Sequence, residues 1–491
     1  MSLTRKVAFN TIFQIGSKIL VTGLSLITIG YLTRYLGVSG YGDYTTIFAY
    51  IAFWAVIADF GFFWVLVREL SKPGADKSYV FGNLISVKFV FGLVIFTLAA
   101  LVAFLIPQYS PSLKIGIAVI AASSFWMSLN NTYVGLFQSQ LEMYKAALSE
   151  VFGRTLVLIG VLWMVHAGAS LQAILGVYVA GSLLNFLLSF FWGSKYIKLR
   201  PRFDFGFWKM ILIESFPLAL LSIIGLIHFK IDTVILSIMK GPTDVGIYGV
   251  PYKILEIVLL IPGIFVGNVF PILTKYFHSG DSRLNESIQK TFDFLIILAV
   301  PVAVVLAVLA WPIIDFIAGK EYLTASTVNF RGLTISAPRV LFILAFSTGI
   351  SFLLSIFSQI LTVINKQKTQ VWPLIVITAG NVALNIILIP RFSYFASAII
   401  NLLTVGIMLV WWFVLSRKYL HFKLNYGVIP KAALAGLVMG ILMYFLMKFN
   451  VVIVAILGGL VYFTAGYLLK MFDWVMIKKL LPSKLTGESD V

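Results

Sequence analysis

Runs of about twenty apolar residues, interrupted by short polar or Pro/Gly breaks, recur along the whole chain. A bilayer core about 30 Å thick is crossed by about 20 helical residues, so each run predicts one membrane span. Fourteen emerge, at 9–33, 44–67, 79–106, 113–137, 148–167, 169–193, 208–239, 246–274, 291–318, 333–363, 371–389, 393–416, 428–447 and 451–472. The first follows the short basic segment MSLTRKVAFN and far exceeds the roughly 7–15-residue core of a signal peptide, so it reads as a retained span. The expected architecture is an all-α polytopic membrane protein with 14 transmembrane helices.

The pattern also repeats. After the first span the chain reads Gly37-x4-Gly42-x-Tyr44, and after the seventh Gly241-x4-Gly246-x-Tyr248, an offset of 204 residues. A second echo pairs Phe137-Gln138 and Tyr144-Lys145, after the fourth span, with Phe357-Ser358-Gln359 and Asn365-Lys366, after the tenth. Corresponding turns in two six-span units imply a parallel repeat about a pseudo-twofold axis along the membrane normal. The predicted parts are an N-lobe at 1–200, a C-lobe at 201–420, and two additional spans with a cytoplasmic tail at 421–491, with a cleft between the lobes. Pro217, Pro262 and Pro301 fall inside spans of the second lobe, where proline removes a helical hydrogen bond, and are hinge candidates.

Composition sharpens this picture. Of the 491 residues 60% are apolar and 11% charged, which excludes a soluble globule. The absence of cysteine excludes disulfides, thiolate zinc sites and thiol catalysis. The 37 Lys and Arg outnumber the 19 Asp and Glu, and in the fourteen-span scheme 25 of them fall on one side and 7 on the other. Cytoplasmic loops hold positive charge, so this asymmetry places both termini in the cytoplasm and removes the need for a nucleic-acid partner.

Five cations remain inside spans: Lys18, Lys88, Lys230, Lys253 and Arg339. An ionisable residue there costs a few kcal/mol and takes a partner or a task. The deep acids are Asp59, Asp232 and Glu256. Spans 7 and 8 form a hairpin turning near 241–244, which puts Asp232 and Lys253 about 12 Å below the turn and Lys230 and Glu256 about 15 Å below it. His228 and Asp232, four apart, share a helix face. Two readings stay open: an ion-pair cluster that fixes packing, or a proton- or ion-responsive network. Lys18, Lys88 and Arg339, offset only by Asp59, favour an anionic substrate such as a phosphate or diphosphate.

Three stretches carry a family resemblance: YLTRYLGVSGYGDY at the first turn, ADFGFFWVLVREL at the end of span 2, and KIDTVILSIMKGPTDVGIYGVPYKILEIVLLIPGIF across spans 7 and 8. They resemble the Wzx-type polysaccharide-biosynthesis flippases of the multidrug/oligosaccharidyl-lipid/polysaccharide exporter superfamily. The resemblance implies two six-helix lobes around a cavity, and transport of a polyprenyl-diphosphate-linked oligosaccharide from the inner to the outer leaflet. No cofactor is expected; the expected setting is a cytoplasmic membrane of a bacterium or archaeon, with other glycan-assembly proteins as partners, and the buried acids lead to an expectation of alternating access coupled to protons or sodium. Lys18, Lys88, Lys253 and Arg339 are the positions matched to diphosphate binding; Asp59, His228, Lys230, Asp232 and Glu256 are matched to the coupling or ion-pair network. Spans 13 and 14, with small faces at Gly436-x3-Gly440 and Gly458-Gly459, resemble the extra pair of the related lipid II flippase. The alternatives are a multidrug or cation antiporter of the same superfamily and a membrane glycan polymerase or ligase.

Overall fold

The structure, a computed structural model, describes residues 3–471 apart from 75 and 199; the predicted tail beyond 471 lies outside the described residues. Six helices fill the first part of the chain: α1 (Leu3–Asp59), α2 (Phe62–Leu70), α3 (Lys77–Phe104), α4 (Pro111–Ser139), α5 (Met143–His166) and α6 (Leu171–Gly193). Next come α7 (Phe205–Met239), α8 (Pro242–Val258), α9 (Leu260–His278), α10 (Arg283–Val308), α11 (Ala310–Ala318) and α12 (Glu321–Thr324). A small hairpin, β1 (Val328–Phe330) and β2 (Leu333–Ile335), precedes α13 (Ala337–Val363), α14 (Val371–Tyr419), α15 (Val428–Leu446) and α16 (Val451–Leu468). Twelve helical stretches among the described residues are long and apolar enough to cross a membrane. The all-helical expectation therefore holds, with the hairpin its one strand-forming segment among the described residues.

The long helices are broken where the backbone demands it. At 57 residues α1 would run roughly 85 Å, nearly three bilayer cores. It is interrupted at Gly37 (φ 64°, ψ −175°), a conformation that favours glycine. The 49-residue α14 breaks at Ser393 (φ 47°, ψ −137°), three residues after Pro390. Two further breaks follow one rule, that a proline ring clashes with the carbonyl four residues earlier. Helix α8 stops at Val258, four before Pro262, and α10 stops at Val308, four before Pro312. Of the predicted hinges, Pro262 thus lies at a break, whereas Pro217 and Pro301 sit inside continuous α7 and α10.

Two compact units are built from these elements. The first holds the chain to 249 with 317–334 and 378–396. One of its apolar clusters includes Phe62, Leu66, Phe81, Leu84, Leu136 and Phe137. The second holds 250–316, 335–377 and the chain from 397. Its core includes Leu295, Phe352, Ile356, Leu361, Met439 and Tyr462, and Gly436 of α15 packs against Val300 of α10.

Inside the first unit the two repeated turns meet. A Cβ on Gly42 would lie 1.7 Å from the Pro242 carbonyl oxygen, and one on Gly246 would lie 1.9 Å from that of Val38. The offset of 204 relates Val38 to Pro242 and Gly42 to Gly246, so each turn offers the other the same glycine and the same carbonyl. Reciprocity of this kind is the mark of a twofold contact. Gly37 and Gly241, also 204 apart, both have positive φ (64° and 99°). The segment 317–334 straps these turns: Glu321 accepts from the Val38 N–H (3.3 Å), and the Tyr322 hydroxyl donates to the Gly37 carbonyl (3.2 Å). Asp244 accepts from the Thr327 hydroxyl and from that of Ser393 (2.6 Å).

Candidate functional site

A cavity of about 530 Å³ opens among α1, α4, α5 and α6 of the first unit. Close helix crossing builds its floor. Gly153 of α5 and Gly181 of α6 face each other so closely that a Cβ on either would come within 2.9 Å of the other's carbonyl oxygen. Buried hydroxyls tie the same helices together: Ser123 on α4 bonds Ser182 on α6 (3.1 Å), and Ser189 on α6 bonds Ser149 on α5 (2.9 Å). Because α5 and α6 are held there, polar side chains one turn away project into the opening.

Two cations and one acid line it: Lys18 from α1, and Arg154 and Glu150 from α5. Glu150 and Arg154 are four apart on one helix face, yet neither they nor Lys18 form an ion pair among the described residues. The cavity charge is therefore positive and not internally neutralised. Asn130, Asn131 and Asn185 supply neutral amides, and Phe48 and Tyr178 an aromatic wall. Tyr178 shares a hydroxyl–hydroxyl hydrogen bond with Tyr44 (2.9 Å), and Phe48 packs on both rings.

The other predicted cations lie elsewhere. Lys88 is 1% exposed and pairs with Asp59 (2.8 Å), whose side chain is 31% exposed. The cross-helix bond joins α3 to the end of α1, just before the positive-φ pair Phe60 and Gly61. Lys253 pairs with Glu256, one turn along on α8 (3.1 Å). Arg339 stands in the first turn of α13, not within its apolar length. Asp232, 4% exposed on α7, accepts from the Tyr248 hydroxyl of α8 and lies in the field of Lys230, also on α7. His228, on the same helix as Asp232, keeps its Nδ1 buried without a hydrogen-bond partner. Of the four cations matched to diphosphate binding, Lys18 alone lines this cavity.

The profile of a family described as polysaccharide biosynthesis protein matches residues 7–277, more than half of the chain. The chain belongs to this family. No curated protein matches it in sequence. In fold, this polysaccharide biosynthesis protein is similar to a lipid II flippase, MurJ, in an inward closed conformation, with a TM-score of 0.74 at 18% identity over 94% of this chain and 98% of that one. It is also similar to an inward-facing multidrug resistance transporter of the MATE family and MOP superfamily, with a TM-score of 0.65 at 12% identity over 83% of this chain and 98% of that one. A third similarity is to a MOP superfamily transporter from Pyrococcus furiosus, with a TM-score of 0.52 at 12% identity over 84% and 95%. At these identities the likeness establishes the fold alone, and the expected polysaccharide-biosynthesis family rests on the profile match.

Arg154 and Glu150 are the site residues that sequence reasoning missed. The count of five cations inside spans leaves Arg154 out, because it lies near the inner end of the fifth run. The available signal was their spacing of four on one helix, together with the neighbouring amides Asn130-Asn131 and Asn185 in the middle of apolar runs.

Proposed function

We propose that this protein is a flippase that moves a polyprenyl-diphosphate-linked oligosaccharide from the inner to the outer leaflet of a cytoplasmic membrane by alternating access. The observation that carries the reading is the unneutralised pair Lys18 and Arg154 in a cavity of headgroup size. Two cations lining one cavity favour a dianionic linkage such as a diphosphate, and Arg supplies paired donors for its oxygens. Membership in a polysaccharide biosynthesis family and the fold shared with a lipid II flippase support the same reading. Counting α1 and α14 as two crossings each raises twelve stretches to fourteen, an even number that agrees with two cytoplasmic termini. The lobes 1–200 and 201–420 are proposed as the two repeats, with 421–491 appended. The matching folds of multidrug transporters favour a second reading, a cation antiporter, for which Glu150 is the one acid lining the cavity among the described residues. Cation surplus over acid argues for the first.

Reconstitution tests it. Proteoliposomes are expected to translocate a fluorescent farnesyl-diphosphate-linked sugar, and Lys18→Ala or Arg154→Ala is expected to slow that about tenfold, as for loss of one charged hydrogen bond. Unchanged rates in both variants, with transport of a lipophilic cation dependent on Glu150, would favour the antiporter. Coupling to a proton or sodium gradient through buried Asp232 is proposed with it, and indifference of the rate to imposed gradients would remove that part.

A further inference from the structure

The segment between α6 and α7 carries charge that the protein does not balance. Residues 194–209 hold Lys195, Lys198, Arg200, Arg202 and Lys209 against one acid, Asp204. Several other cations on the side that the charge asymmetry assigns to the cytoplasm stand beside carboxylates: Arg68 and Lys72 on Glu69, Lys145 on Glu142, Arg283 on Asp281 and Lys290 on Glu286. The five of this segment are exposed and form no ion pair among the described residues. Asp204 cannot serve them, because its carboxylate already accepts from the Tyr79 hydroxyl and from the N–H groups of Gly206 and Phe207 at the start of α7.

The segment is held at both ends. The Tyr196 hydroxyl donates to Glu142 and accepts from Lys145, at the turn from α4 to α5. Further along, the Arg202 N–H donates to the Ser86 hydroxyl (3.2 Å) and the Gly82 carbonyl (3.3 Å), and the Asp204 N–H donates to the Asn83 amide oxygen (2.9 Å), all on α3. A Cβ on Gly82 would lie 2.3 Å from the Arg200 carbonyl oxygen, so the backbone crosses α3 where glycine leaves room. That crossing fixes a depth. The 28 residues of α3 run about 42 Å, which matches a bilayer of about 40–45 Å with its headgroups. Gly82 is about 7.5 Å from the start of the helix, where headgroups give way to hydrocarbon. At this level Phe203 and Phe205 are 60% and 72% exposed, each ring against Trp208 (5.7 and 5.3 Å). Rings of this kind enter the boundary, and cations beside them meet lipid phosphates. A neutral leaflet suits the rings alone, whereas an anionic one also supplies the counter-charge that the protein lacks.

We propose that residues 195–209 form a docking surface for anionic phospholipid headgroups, which gather around the bridge from α6 to α7. The partner is the lipid of the surrounding leaflet and not a transported molecule, so the proposal stands apart from the flippase reading.

Lipid quenching tests it. Because the chain has no cysteine, Phe203→Cys in the full-length protein gives a single site for a bimane label, and Gln108→Cys, just past the far end of α3, gives a reference. Each labelled protein is placed in phosphatidylcholine nanodiscs holding the same minor fraction of chain-brominated phosphatidylglycerol or chain-brominated phosphatidylcholine. At position 203 the phosphatidylglycerol is expected to quench about twofold more than the phosphatidylcholine, and at position 108 the two are expected to quench alike. Lys198→Gln, Arg200→Gln and Lys209→Gln combined are expected to remove the preference and to leave quenching by phosphatidylcholine in place, which shows the segment still seated at the boundary. Salt at about 1 M, where the Debye length falls to about 3 Å, is expected to do the same without any substitution. Equal quenching by the two lipids at position 203, a preference that survives both the triple variant and the salt, or no quenching by either lipid would each overturn the proposal.

Discussion

Replacing Gly42 by alanine is expected to cost about 3 kcal/mol of folding stability, and replacing Gly246 about the same. The obstacle in each case is a backbone carbonyl, that of Pro242 at 1.7 Å and that of Val38 at 1.9 Å, so no side chain can rotate away. The two turns must separate by more than 1 Å, and the separation loosens the bond that Glu321 makes to the first turn and those that Thr327 and Ser393 donate to Asp244 of the second. Because the contact is reciprocal, either substitution opens the same seam. The double variant is therefore expected to lose well under the sum of the two single losses, a coupling that independent sites do not show. Two controls calibrate the scale. Gly241→Ala meets no neighbour within 4 Å and suffers only its positive φ of 99°, a loss of about 1–2 kcal/mol. Gly176→Ala, in helix α6 with open space around it, is expected to gain about 1 kcal/mol. Denaturant unfolding of the purified protein in nanodiscs measures all five. A loss at Gly42 no larger than that at Gly241, or full additivity in the double variant, would falsify the twofold packing of the turns.

Those glycines were visible in the sequence because a spacing of five residues, twice, at an offset of 204, is hard to satisfy unless the backbone requires it. The spans were visible for a similar reason, since hydrocarbon admits only long apolar helices. The break at Ser393 was less plain: a non-glycine residue holds the positive φ, and Pro390 with Arg391, between the spans 371–389 and 393–416, marks the place. The inner echo, matched in sequence as Phe137 with Phe357, is displaced in the structure. The positive-φ residues that end the two helices are Leu141 and Asn365, 224 apart, and each is followed by an N–H bonding five residues back, Glu142 to Phe137 and Lys366 to Leu361. Local chemistry thus located turns and left their register to packing. The site was harder still. Lys18 stood out because it interrupts an apolar run at mid-depth, whereas Arg154 near a run's end looks like any loop cation until α5 and α6 cross at Gly153 and Gly181. Lys88 looked surplus because its partner Asp59 lies 29 residues away on another helix, a distance no spacing rule spans.

That pair is expected to respond asymmetrically to substitution. Asp59→Asn should lose about 3–5 kcal/mol, because it strands an ammonium that is 1% exposed and cannot reach water. Lys88→Met should change stability by about 1 kcal/mol or less: it leaves a carboxylate that is 31% exposed and can hydrate, and it fills the buried volume with an unbranched apolar chain. Combining the two substitutions should recover most of the loss seen with Asp59→Asn alone. Thermal unfolding in nanodiscs reads the order, and flipping in the same vesicles reads the role. A lysine that serves packing predicts that Lys88→Met still translocates cargo at close to the wild-type rate. A lysine that must leave Asp59 to grip a diphosphate predicts the reverse, a stable protein that no longer flips. The bond geometry favours the first outcome, since releasing Lys88 from its 2.8 Å contact would bury a charge unpaired, while Lys18 and Arg154 already face the cavity with no bond to give up.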